Sequence, residues 1–195
     1  STDNPPHGGL DAPQCRPALL EVPRSGSLWV APLNPLMSTA ELEERLEDES
    51  LRLADCRFYL AEPEQGGIEY TASHIPGARY FSLDEDLTAP VGPGRHPLPE
   101  AAAFTEFIGR AGIGDKHDVV VYDDGGGGIA ARLWWMLRSL GHTRVRVLDG
   151  GWGRWSSEFR PASNSVPRWE PAAFTGAAEW DGIITAEEIA VEQAG

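Results

Sequence analysis

Asp118-Val-Val-Val-Tyr-Asp-Asp-Gly-Gly-Gly-Gly-Ile-Ala-Ala-Arg-Leu-Trp-Trp-Met-Leu-Arg-Ser-Leu140 decides the fold class. Asp118–Tyr122 is a short, continuously apolar run rich in β-branched residues, the pattern of a strand covered on both faces. Asp123-Asp-Gly-Gly-Gly-Gly128 punctuates it as a tight loop. Ile129–Leu140 carries apolar residues at helical spacing and is stopped by Gly141. A second apolar strand, Val145–Leu148, follows and runs into Asp149-Gly-Gly-Trp152. Strand, loop, helix and strand in that order predict an α/β domain with a mainly parallel sheet.

Working back from this unit, Leu51–Asp55 reads as another strand and Ala101–Ala111 as a helix, with Phe104, Phe107 and Ile108 on one side. Ser38-Thr-Ala-Glu41 is a capping box that opens a short helix. Residues 61–79 read as loop-rich, and 88–99, with four prolines, as a surface loop. Residues 1–35 hold seven prolines and three glycines without periodicity and read as an extended or disordered arm. The domain proper is assigned to 36–159 and a linker to 160–182. Ile183-Ile-Thr-Ala-Glu-Glu-Ile189 echoes Leu36-Met-Ser-Thr-Ala-Glu-Leu42, with 185 − 38 = 147 residues between the two capping boxes. Residues 183–195 therefore read as the start of a second copy of the domain.

The 195 residues carry a formal net charge of −14, which argues against nucleic acid and anionic membrane as partners. Half of that excess lies in 41–69, where ten acids face three bases, the pattern of a solvated surface. No apolar run approaches the roughly 18 residues of a membrane span. Cys15 and Cys56 make neither a disulfide framework nor a zinc site, so no metal is expected, and a reducing, cytoplasmic setting is the default.

A glycine loop between a strand and a helix N-terminus is an anion-binding geometry. Gly126-Gly-Gly128-Ile-Ala-Ala131 even matches G-x-G-x-x-A, and Asp149 follows at about the spacing of a dinucleotide site. NAD(P) binding is the lesser reading. A whole helix–strand–loop–helix section precedes the motif, one strand follows it, and Asp123 and Asp124 would repel a pyrophosphate.

Taken together, Asp55-Cys-Arg57 with Phe58-Tyr59, Tyr70-x-x-x-His74-Ile-Pro-Gly-Ala78, Val119-Val-Val-Tyr-Asp123, Ala131-Arg-Leu-Trp-Trp135, Gly141-His142 and Leu148-Asp-Gly-Gly-Trp152 resemble the rhodanese family, in family order from about Leu36 to Trp155. The Glu62–Gly67 insertion and the Trp134-Trp135 pair look like the first domain of the tandem, two-domain thiosulfate or 3-mercaptopyruvate sulfurtransferases. The resemblance implies a small parallel sheet flanked by helices on both faces. It also implies a cysteine at the head of the loop that takes sulfane sulfur, holds it as a persulfide and hands it to a thiophilic acceptor. Thiolates are the nucleophiles in such chemistry, and N–H groups at a helix start lower their pKa.

Here Asp123 stands at that position, so no residue of this chain is assigned as catalytic and no cofactor is expected. Asp123, Asp124, Gly125, Gly126, Gly127 and Gly128 form a degenerate loop expected to be mobile and to retain no anion. The second rhodanese domain of the same polypeptide is the expected partner and would carry the cysteine, with a small sulfur donor. A stand-alone binding module is the alternative. Phe58 and Tyr59 are candidates for a cleft wall; Asp55, Arg57, His74, Arg132, Asp149 and Trp152 are assigned structural roles, with Arg132 expected to pair with a nearby aspartate. Cys56, behind an apolar strand, is expected to be buried.

Overall fold

A computed structural model describes residues 34–184 and Ile189. Most of the 1–35 arm and nearly all of the 183–195 echo therefore lie outside the described residues.

Five parallel strands form one sheet in the order β1-β5-β4-β2-β3: β1 Leu36–Met37, β2 Leu51–Asp55, β3 Ala78–Tyr80, β4 Asp118–Tyr122 and β5 Val145–Leu148. The strands expected at 51–55, 118–122 and 145–148 are found with those bounds. Central β4 shows why its run is uninterrupted. Val119 and Val121 enter one core, and Val120 and Tyr122 the other. The pleat sends alternate side chains to opposite faces, and both faces are covered.

Helix α3 (Ala101–Arg110) and α4 (Gly128–Ser139) cover the first face, with Phe104, Ile108, Leu133, Met136 and Leu137 buried against it. On the second face, α1 (Thr39–Glu43) contributes Leu42 and α5 (Gly151–Ser157) contributes Trp155. Ser38 caps α1 by accepting the Glu41 N–H at 3.1 Å, the near half of the capping box. Glu41 does not return the bond; its carboxylate pairs with Arg146 on β5 at 2.7 Å.

The loop-rich reading of 61–79 misses α2 (Gln65–Ala72) and β3. Two glycines near the start of α2 lower its propensity, and Ile68 is exposed, so no apolar stripe announces it. Gly66 is there for clearance: a Cβ would collide with the Arg57 carbonyl. Helix α5 is hidden in the same way by its Gly-Trp-Gly start.

Residues 160–180 contain no helix or strand beyond a bridge of Ser163 to His74, yet they run along the domain as a strap. Trp169, Phe174 and Trp180 pack on the α3/α4 core, and Trp180 Nε1–H donates to the Pro99 carbonyl at 2.8 Å. Under the strap lies His142, only 6% exposed, with Nε2 lacking a partner among the described residues and Phe174 against its ring. Beside it, Asp115 accepts from the Thr175 N–H and hydroxyl.

Burial lowers the His142 imidazole below its ordinary 6.5, and the Asp115 carboxylate opposes this only in part. His117 is lowered too, by burial and then by Arg52 and Arg144. The unfolded chain therefore binds more protons just below that value, and stability falls as pH drops through it. Thermal melts from about pH 8 to about pH 5.5 are expected to show this fall, with a smaller fall in His142→Gln. Asp48 and Glu158 titrate far below that window, because hydrogen bonds from Arg45 and Thr39 hold their carboxyls low. Equal pH dependence in the two proteins would refute the assignment.

Candidate functional site

Parallel strands bring their C-terminal ends to one edge, where open α/β sheets place their sites. Asp55 is in register with Tyr122, so Asp55-Cys56-Arg57, Asp123 and Asp149-Gly-Gly-Trp152 meet there. Asp123 is 4% exposed and its carboxylate turns back into the loop that follows it. Oδ1 accepts the N–H groups of Gly125 at 3.0 Å and Gly127 at 2.8 Å. Oδ2 accepts those of Ile129 and Ala130, each at 3.2 Å. The last three are free donors at the start of α4, whose cap residue Gly127 has φ 75° and offers no side chain. Asp123 does the capping from four residues upstream, with a charge the helix dipole favours.

The mobile, open loop expected from four glycines is thus tied down by four hydrogen bonds. The repulsion expected of Asp123 is real only toward other anions; toward the cradle itself, its carboxylate is the anion. Asp124 remains exposed. For a dinucleotide the consequence is direct, since the donors that would hold a pyrophosphate are already used.

The Asp-Gly-Gly-Trp segment closes on the same loop. The N–H groups of Trp152 and Gly153 donate to the carbonyls of Asp123 and Asp124 at 2.7 and 2.9 Å. A Cβ on Gly151 or Gly153 would run into that backbone. Asp149 itself turns outward to Arg154, at 2.6 Å.

Arg57 and Asp55 form a buried pair, 1% and 0% exposed at the side chain, with Nη2 to Oδ2 at 2.8 Å and Nε between both oxygens. Arg57 also donates to the Ser73 carbonyl at 2.8 Å and lies over the Trp152 ring at 4.8 Å. Burial alone would lower its guanidinium, and the Asp55 carboxylate more than reverses this. His74 is buried in the turn before β3, stacked on Tyr70, with Nδ1 2.6 Å from the Tyr70 carbonyl and Nε2 3.2 Å from that of Ser165. Arg132 corrects its expectation. Among the described residues it binds no aspartate; its guanidinium donates to the carbonyls of Leu87, His96 and Pro97, pinning the loop between β3 and α3. Arginine has five donors and is satisfied equally well by carbonyls of a convergent loop.

Phe58 is half-buried, edge-on to His96, and packs on the core. The Tyr59 hydroxyl donates to Glu69 at 2.8 Å and is pushed up to about 12 by burial and by that carboxylate. Glu69, which also approaches Arg57 at 3.7 Å, is a member of this edge that the sequence reading missed, because α2 was missed. Cys56 is fully buried; burial pushes its thiol well above the usual range, and Asp55, Asp123 and Asp86 push the same way. The edge therefore holds a fixed carboxylate in an anion cradle and a suppressed thiol behind it.

The family profile of the rhodanese-like domain matches residues 38–158. The chain belongs to the rhodanese-like family. It is 37% identical over 158 residues to a probable 3-mercaptopyruvate sulfurtransferase of Pseudomonas aeruginosa, covering 79% of this chain and 56% of that one. It is 36% identical over 162 residues to the thiosulfate sulfurtransferase of Mus musculus, covering 79% and 54%. The structure of the 3-mercaptopyruvate sulfurtransferase from Leishmania major superimposes with a TM-score of 0.73 at 28% identity, covering 82% of this chain and 46% of that one. The chain thus spans about half the length of the relatives it matches. The rhodanese-like α/β fold with an all-parallel sheet is established, and the membership implied by the motifs with it.

Proposed function

We propose that this chain is the non-catalytic rhodanese domain of a sulfurtransferase, one that moves sulfane sulfur from thiosulfate or 3-mercaptopyruvate to a thiophilic acceptor. The persulfide cysteine sits in a second rhodanese domain of the same polypeptide, and this domain serves as scaffold and cleft wall, with Phe58 and Tyr59 on the cleft side. The reading rests above all on Asp123. Its carboxylate fills the cradle at the head of the loop, where sulfur transfer needs a thiolate. The one cysteine nearby among the described residues, Cys56, is buried and discouraged from ionising. The relatives' names supply the sulfur-transfer chemistry and the choice of donors. A reducing, cytoplasmic setting that keeps both thiols reduced belongs to the same proposal; among the described residues no helix is long and apolar enough to cross a membrane.

Two assays test it: transfer from thiosulfate to cyanide, and from 3-mercaptopyruvate to a thiol acceptor. The purified chain is expected to show no turnover with either. Turnover that survives Cys15→Ser with Cys56→Ser would sink the mechanism, since no thiol would remain to carry sulfur.

A further inference from the structure

Between the β3–α3 loop and the outer side of α3 lies an open groove of about 520 Å³ that shares no residue with the Asp123 loop. Val91, Leu98 and Phe107 give it an apolar floor, and Val91 is 87% exposed, an unusual position for a valine with no partner among the described residues. Glu85, Asp86 and Glu100 stand around that floor, and among the described residues the lining contains no lysine or arginine. Asp86 is partly answered already: burial raises its carboxyl, the Ser82 N–H that it accepts at 2.9 Å lowers it, Glu85 raises it and Arg79 lowers it. One end of the wall shows what the surface accepts. There the chain's own Trp180 sits on Phe104, with ring centroids 5.6 Å apart, and its indole N–H is on the Pro99 carbonyl.

We propose that this groove docks a partner polypeptide segment carrying an aromatic or large aliphatic side chain flanked by lysine or arginine. The apolar side chain covers Val91, Leu98 and Phe107, and the cations answer Glu85, Asp86 and Glu100. Charge complementarity favours a basic occupant and opposes the acidic ones. The terminal stretch of the chain itself, residues 185–195, carries Glu187, Glu188 and Glu192 and no base, so it would meet like charge. A second copy, at net −14, meets the same opposition. Acidic rims raise association rate and partner choice more than raw affinity, so a weak, salt-sensitive, selective contact is the expected behaviour. Docking here is independent of sulfur transfer.

The test is a titration of the isotopically labelled chain, followed by amide chemical shifts, with the synthetic peptide Gly-Arg-Trp-Arg-Gly. A Gly-Glu-Trp-Glu-Gly peptide is the control. Saturable shifts confined to residues 85–91 and 98–107 are expected with the first peptide and not the second, weakening as salt is added. Glu85→Gln and Glu100→Gln are each expected to weaken binding about two- to fivefold, the size of an exposed charge contact. Val91→Asp is expected to abolish it. All three positions are at the surface, so an unchanged melting temperature verifies that each variant is folded. Equal binding of both peptides, shifts outside the groove, no saturable shift, or a concentration-dependent dimer that Val91→Asp dissolves would each overturn the proposal.

Discussion

Arg57→Ala is expected to cost about 3–5 kcal/mol, because it strands the Asp55 carboxylate in the core without its counter-charge. For a domain of this size that corresponds to a fall in melting temperature on the order of 10 °C. The same change frees the Ser73 carbonyl and removes the cation from the Trp152 ring, so α2 and the Asp-Gly-Gly-Trp segment loosen together. The pH dependence discriminates this cause from simple loss of packing. Burial already raises Asp55, and without the Arg57 guanidinium only the residue 57 N–H and the Tyr122 hydroxyl still hold it down. A group raised on folding takes up a proton more readily in the folded state, so the variant regains stability as pH falls through that range. Wild type moves the other way through His142 and His117. A variant whose melting temperature tracks wild type at every pH would show that Asp55 is not left charged.

Asp123→Ala is expected to cost about 2–3 kcal/mol, the usual penalty when a charged acceptor leaves several N–H groups without a partner. The loss comes with an acquired property. The emptied cradle has four convergent donors at the start of a twelve-residue helix, and an added anion can take the place of the carboxylate. Sulfate is expected to raise the melting temperature of Asp123→Ala well beyond any rise in wild type. Asp123→Asn, which keeps one acceptor oxygen, is expected to lie between the two and to respond weakly. Equal sulfate responses in wild type and Asp123→Ala would mean that the carboxylate is not the occupant of the cradle.

The central unit of the fold was legible because its residues have one job each. In Asp118–Tyr122 every position is either core or strand end, so composition and length suffice. No comparable signal exists for α2. Its identity depends on clearance between Gly66 and Arg57, a contact across 66 − 57 = 9 residues that no local pattern records. The strap was unreadable for a related reason. Trp169, Phe174 and Trp180 are spaced irregularly because each meets a different part of the α3/α4 face, and irregular spacing resembles a linker. At the site, the motifs located Asp123, Arg57 and Trp152, but not which way the first carboxylate points. Its turn inward depends on the backbone of the loop, and that converts an expected repulsion into a cap.

The outermost pairing of the sheet carries a consequence for how the chain is made. Leu36 of β1 lies beside Val147 of β5, a separation of 147 − 36 = 111 residues. At synthesis rates of about 5–20 residues per second, roughly 6–20 s pass between the appearance of the two strands. For that interval β1 lacks its hydrogen-bonded neighbour, and the acids of 41–49 add charge that disfavours self-association of the waiting segment. Contacts between residues so far apart in sequence form slowly, so β1 is expected to be the last strand to join the sheet.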